Sequence, residues 1–177
     1  MKNEKIKNLR ELKSIVARLK ARGRRVAFTN GCFDILHVGH VRYLAKARDQ
    51  GDLLVVGLNT DRSVREIKGE TRPIVPQDER AEVLSALECV NYVVLFDDPD
   101  PLSVIEALRP DVLVKGADWP KDRIVGHDVV EKNGGRVVRV RLVRGASSTG
   151  IIEKIVAVHC GTGKKPRHAG GASPKGT

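Results

Sequence analysis

Apolar residues along this chain fall into two alternating patterns. Ile6, Leu9, Leu12, Val16 and Leu19 recur at three- and four-residue steps between Lys and Arg, which predicts an amphipathic helix over residues 4–22, closed by Gly23. Val26-Ala27-Phe28, the run 53–58, 92–96, 111–115 and 136–140 are short and almost continuously apolar, as strands covered on both faces are. Helical spacing returns between them, over 38–50, 77–87, 128–132 and about 149–158, with a short helix ending before Pro110. Arg62, Arg65, Lys68 and Arg72 fall in a polar stretch, 62–72, that reads as a mobile connection lying over the site, its three arginines as solvated charges. Strands alternating with helices predict one doubly wound (Rossmann-like) α/β domain, a parallel sheet with right-handed crossovers and helices on both faces. Ligands of such sheets bind beyond the carboxyl ends of the strands.

The ends differ from the body in charge. Residues 1–25 carry +8 and residues 158–177 carry +4, whereas residues 26–157 carry −2 of the net +10. The basic excess therefore does not describe the domain, and specific nucleic-acid binding is not expected. The pattern divides the chain into a packed amphipathic helix (1–24), the α/β domain (25–158) and a Gly-, Lys- and Pro-rich basic tail (159–177) expected to be disordered. Cys32, Cys89 and Cys160 are odd in number and scattered, which suits a reducing compartment. No run is long and apolar enough to span a membrane and no signal-peptide pattern opens the chain, so a cytoplasmic location is expected.

Candidate chemistry concentrates in Thr29-Asn30-Gly31-Cys32-Phe33-Asp34-Ile35-Leu36-His37-Val38-Gly39-His40, between the first inner strand and the next helix. Gly31 and Gly39 permit a tight turn and close backbone approach, and the helix aims its positive dipole end at the turn. His37 and His40, three residues apart, share a face of the first helical turn. Backbone N–H groups, a helix N-terminus and two imidazoles describe a phosphate site. A helix cap or packed surface residue is the alternative for either histidine alone, and zinc ligation by Cys32, Asp34, His37 and His40 is the alternative for the cluster. A second polar turn, Arg144 to Gly150, opens the last helix.

The segment Phe28–His40, with Ser147-Ser148-Thr149-Gly150-Ile151, resembles the paired signatures of the nucleotidylyltransferase superfamily. Asn59-Thr60-Asp61, Arg80 and Lys115-Gly116-Ala117-Asp118-Trp119 match in order between them. Within it, Asn30–Asp34 and Val114–Trp119 look most like the heptose-1-phosphate adenylyltransferase type, whose product ADP-heptose feeds lipopolysaccharide synthesis. The cytidylyltransferases, which use CTP and acceptors such as glycerol 3-phosphate, share much of the pattern. A non-catalytic nucleotide sensor on the same fold is the alternative of another class.

The resemblance implies ATP, a sugar 1-phosphate and Mg²⁺ carried by the triphosphate, with no dedicated protein metal site. It implies His37, His40 and Lys68 as catalytic contacts. Thr29, Gly31, Cys32, Phe33, Arg80, Gly116, Asp118, Arg144, Ser147, Ser148 and Thr149 would bind the nucleotide, and Asp34, Lys115 and Trp119 the acceptor. Alternatives are holding the turn or a metal for Asp34, a solvated strand end for Lys115 and packing for Trp119. A separate sugar kinase to supply the acceptor and a homodimer are further implications.

Overall fold

In the computed structural model, which describes residues 4–160 apart from 142 and 144, five parallel strands lie in the order β3-β2-β1-β4-β5. They are β1 (Val26–Gly31), β2 (Leu53–Asn59), β3 (Tyr92–Phe96), β4 (Val112–Gly116) and β5 (Arg136–Val140). The runs of β1 to β4 bury residues on both faces, whereas β5, at the sheet edge, leaves Arg136 and Arg139 exposed. Ala27, Leu54, Val56 and Val112 pack on one side with Tyr43, Leu44 and Ala47 of α2 (Val38–Arg48) and Ala81 and Leu84 of α4 (Gln77–Ala86). Val26, Phe28, Val55 and Leu113 pack on the other, with Leu12 and Val16 of α1 (Leu9–Ala21), Val104 and Ile105 of α5 (Leu102–Leu108) and Val130 of α6 (His127–Lys132). This is the doubly wound sheet that the alternating pattern predicts.

Two expectations need correction. The first helix begins at Leu9, not residue 4, because Asn8 caps it by accepting the Glu11 N–H at 2.9 Å. Residues 5–7 instead run along the edge of β3, exchanging backbone hydrogen bonds with Val93 at 2.9 Å each way. The polar stretch after β2 is not simply a loop, since Asp61–Lys68 forms a helix, α3. Thr60 caps it, Asp61 suits its dipole and Val64 and Ser63 are buried beneath it, a short amphipathic signal that the surrounding charges mask.

The sheet opens where the site lies. β1 and β4 pair only at Ala27–Val112 and Phe28–Leu113, and beyond these the two strands diverge. The chain leaves β1 for β2 and β3 on one side and returns to β4 on the other, so this gap is the topological switch point. Tyr43 fills its floor, its hydroxyl donating to Val114 O at 3.1 Å and lying 2.7 Å from Thr29 Oγ1. Among the described residues no helix is long and apolar enough to cross a membrane.

Candidate active site

Above the gap lies a cleft of about 650 Å³, within the range of small-ligand sites. One wall is the turn after β1. Phe33 holds φ +43°, a left-handed conformation uncommon outside glycine and found where a surrounding structure over-determines it. The Phe33 ring meets His40 edge-on, centroids 5.2 Å apart.

His37 caps α2, its Nδ1 accepting the Gly39 N–H at 3.1 Å, and the same residue lines the cleft. The ring also stacks on His40 at 3.9 Å. Burial lowers the pKa of His37, and burial together with the neighbouring His37 and Lys68 pushes His40 down to about 4. Both imidazoles are therefore neutral near pH 7, and neutral rings still offer N–H donors to an anion. The His40 Nδ1 is buried without a partner among the described residues.

This depressed pKa carries a pH signature. The unfolded histidine, near its ordinary 6.5, binds more protons than the folded one down to about pH 4. Stability is expected to fall with acidification across that window, and a His40→Gln variant to lose less of it; urea midpoints at pH 7 and pH 5 make the comparison.

The second polar turn meets the first. Ser147 caps α7 (Ser148–His159) by accepting the Gly150 N–H at 3.0 Å, and Ser148 Oγ donates to Ile35 O at 3.3 Å. Two helices of eleven and twelve residues thus turn their N-termini onto one cleft, which Ser147, Ser148 and Thr149 line. Gly39 allows the approach: a Cβ there would lie 2.8 Å from the His37 ring and 3.1 Å from Ala146. Gly39→Ala is accordingly expected to displace His37 and weaken nucleotide binding about tenfold, the scale of a sub-ångström misplacement, without unfolding α2. Calorimetric titration with MgATP measures it.

Lys68 ends α3, lines the cleft and exerts its charge on both His40 and Cys32. Lys115 lies between the diverging strands, its ammonium bonded to Asn30 Oδ1 and pushed down to about 8 by burial, against the pull of Asp100. Gly116, Asp118 and the 53 % exposed Trp119 line the opposite rim. Gly31, Cys32 and Phe33 also line the cleft. Burial pushes the Cys32 thiol up, so it is no ready nucleophile.

Four expectations are redirected by the geometry. Thr29 is fully buried against Tyr43 and does not line the cleft. Arg80, expected on the nucleotide, is 2 % exposed and points inward, donating to Cys32 O, to Val75 O at 2.9 Å and to Asp61 at 2.7 Å. Asp34, expected on the acceptor, spends its carboxylate on Arg72 and the backbone of Ile74 and Val75, the structural alternative noted for it. Arg72 is thereby half of a buried ion pair and not a solvated charge, whereas Arg62 is exposed and pairs with Asp97. Arg144 lies outside the described residues, as do residues 161–177 of the predicted tail. Among the described residues no three His, Cys, Asp or Glu side chains converge as a metal site, so the zinc arrangement does not form.

Asn30 and Arg72 are the residues that sequence reasoning passed over. Asn30 stood inside the motif, but its partner is 85 positions away; Arg72 gives no local sign of Asp34, 38 positions earlier.

Two helix N-termini, two neutral histidines and two lysines converge at the switch point of a doubly wound sheet, an arrangement that suits an anionic ligand. The chain belongs to the cytidylyltransferase-like family, whose model matches residues 28–160, and is a nucleotidyltransferase by that membership. It is 59 % identical over 155 residues to the "Bifunctional protein HldE" of Geobacter sulfurreducens, covering 88 % of this chain and 32 % of that protein. The HldE of Geotalea uraniireducens is 60 % identical over 151 residues, covering 85 % and 31 %. The chain thus spans about a third of the length of these curated relatives. Among solved structures, a lipopolysaccharide core biosynthesis protein from Thermoplasma volcanium matches 70 % of this chain and all of its own, with a TM-score of 0.57 and 28 % identity. A protein of unknown function from Archaeoglobus fulgidus, 21 % identical with a TM-score of 0.50 over 70 % of this chain and 93 % of its own, shares the fold.

Proposed function

We propose that the chain transfers AMP from ATP to D-glycero-D-manno-heptose 1-phosphate, giving ADP-heptose and pyrophosphate. The observation that carries this reading is the chemistry of the cleft, which holds donors and lysines for polyanions but, among the described residues, no activated nucleophile. An acceptor phosphate brings its own nucleophile: its second pKa is near 6, so near neutral pH it is mostly a dianion. One of its oxygens forms a bond to the α-phosphorus while the bond to the bridging oxygen breaks, and pyrophosphate leaves with that electron pair. Such a reaction needs no general base. It needs alignment and relief of repulsion between two sets of negative charge.

The N–H groups of the turn and the neutral histidines suit the α- and β-phosphate oxygens. Ser148, Thr149 and the N-terminus of α7 suit the outer phosphates, and Lys68 the charge between donor and acceptor. Lys115, held by Asn30, suits the acceptor. Mg²⁺ arrives on the triphosphate as part of the substrate and keeps most of its waters. The likeness to HldE proteins and to a lipopolysaccharide core biosynthesis protein supports the choice of acceptor. A sugar kinase would supply that acceptor, in a reducing cytoplasm, and the transferase would work as a homodimer.

The test is pyrophosphate release from a grid of ATP and CTP against heptose 1-phosphate and glycerol 3-phosphate. Turnover confined to ATP with the heptose phosphate is expected. Preference for CTP would replace the donor, and triphosphate binding without turnover would favour the sensor.

A further inference from the structure

We propose that Arg72 is a positioning residue of the transfer site, acting through Asp34 to hold the anion-binding turn and the arm bearing Lys68 in one fixed relation. The inference rests on the nucleotidyl-transfer reading above.

The strained Phe33 stands between Cys32 and Asp34, and both neighbours are tied down from the same direction. Asp34 Oδ1 accepts the N–H groups of Ile74 and Val75 at 2.8 and 2.9 Å, and Oδ2 accepts Arg72 Nε at 2.6 Å. Cys32 O accepts from Arg80, which also holds Val75 O and Asp61. The segment from Asp61 to Val75 is thus fastened to the turn at both ends, with Lys68 between the fastenings. Movement of the loop at 72–75 would shift the turn that cradles phosphate and the lysine facing it.

Arg72 does not line the cleft, and its pairing runs inward. Asp34 and Arg72 side chains are 1 % and 11 % exposed. Both carboxylate oxygens of Asp34 accept hydrogen bonds, and the Arg72 guanidinium beside them offsets part of the cost of burying the group. Arg72 Nη2 is meanwhile buried with no partner among the described residues. A guanidinium left partly unsatisfied is a poor choice for stability alone, since a well-packed apolar side chain of similar volume often costs less. The arrangement makes sense where the conformation of the turn matters more than the stability of the pair.

The test uses Arg72→Met, Arg72→Lys, Asp34→Asn and the Asp34→Asn/Arg72→Met double variant of the full chain. Titration calorimetry with MgATP and with MgCTP reads the turn directly, and pyrophosphate release reads kcat and KM. Circular dichroism checks the fold. Arg72→Met is expected to weaken triphosphate binding about tenfold and lower kcat by 10- to 100-fold, roughly the cost of misplaced contacts. Arg72→Lys should recover part of both, and the double variant should lose no more than Asp34→Asn alone, as residues acting in one chain do. Wild-type binding and kcat in folded Arg72→Met would overturn the proposal, and so would additive losses in the double variant, which would mean direct contact with substrate. If Arg72→Met does not fold, Arg72→Lys decides by the same measurements, with wild-type values in both as the contrary result. A wrong acceptor would silence turnover in the wild type as well, while the binding comparison would still separate the variants.

Discussion

Replacement of His40 by alanine is expected to lower the transfer rate about 10²–10³-fold while the chain stays folded, the scale of losing one preorganised donor to developing negative charge. The ring stacks on His37 and meets the edge of Phe33, so it both presents a donor and braces the other imidazole. Its removal strikes the site twice. The fold should tolerate the loss, because His40 belongs to neither apolar cluster and its buried Nδ1 has no partner to orphan. Pyrophosphate release at saturating substrates, with circular dichroism as the control, measures the effect. A folded His40→Ala with near-normal kcat would remove the histidine pair from the chemistry.

Arg80→Ala should act on the opposite quantity, destabilising the chain by about 3–5 kcal/mol, as breaking a buried charged network does. The Arg80 side chain is wholly buried and satisfies three acceptors. Without it Asp61 can recruit water, since its side chain is 27 % exposed, but the carbonyls of Cys32 and Val75 lose a charged donor. Urea denaturation at pH 7 gives the difference. Arg80→Lys should recover little, because one ammonium cannot span the three directions that the planar guanidinium serves. A loss below about 1 kcal/mol, with nucleotide binding abolished, would return Arg80 to the cleft where family resemblance puts it.

The legible and illegible parts of this molecule divide along a physical line. Runs such as Leu54-Val55-Val56 announce strands because burial on both faces leaves no polar position, and their alternation with helices dictates a parallel sheet. The two phosphate turns were legible for a similar reason: glycines, cap residues and histidines at fixed local offsets act through backbone neighbours. Tertiary pairing left no such mark. Family resemblance puts Asp34 and Arg80 at the site, yet Arg80 is turned inward by partners from other segments, and Asp34, which lines the cleft, has its carboxylate held by Arg72. Asn30 and Lys115 meet only because β1 and β4 diverge, which no pattern within either strand encodes. The start of α1 was misjudged because Ile6 fits the helical spacing, while its backbone pairs with the edge of β3.

The most direct measurement is phosphorus NMR of the products formed from MgATP and D-glycero-D-manno-heptose 1-phosphate. Transfer of the nucleotidyl group predicts the coupled pair of signals of an asymmetric diphosphate ester together with free pyrophosphate, both growing about 10²–10³-fold more slowly with His40→Ala. ADP appearing in place of pyrophosphate, which would mean that the γ-phosphoryl group had moved, would contradict the proposed chemistry at its first step.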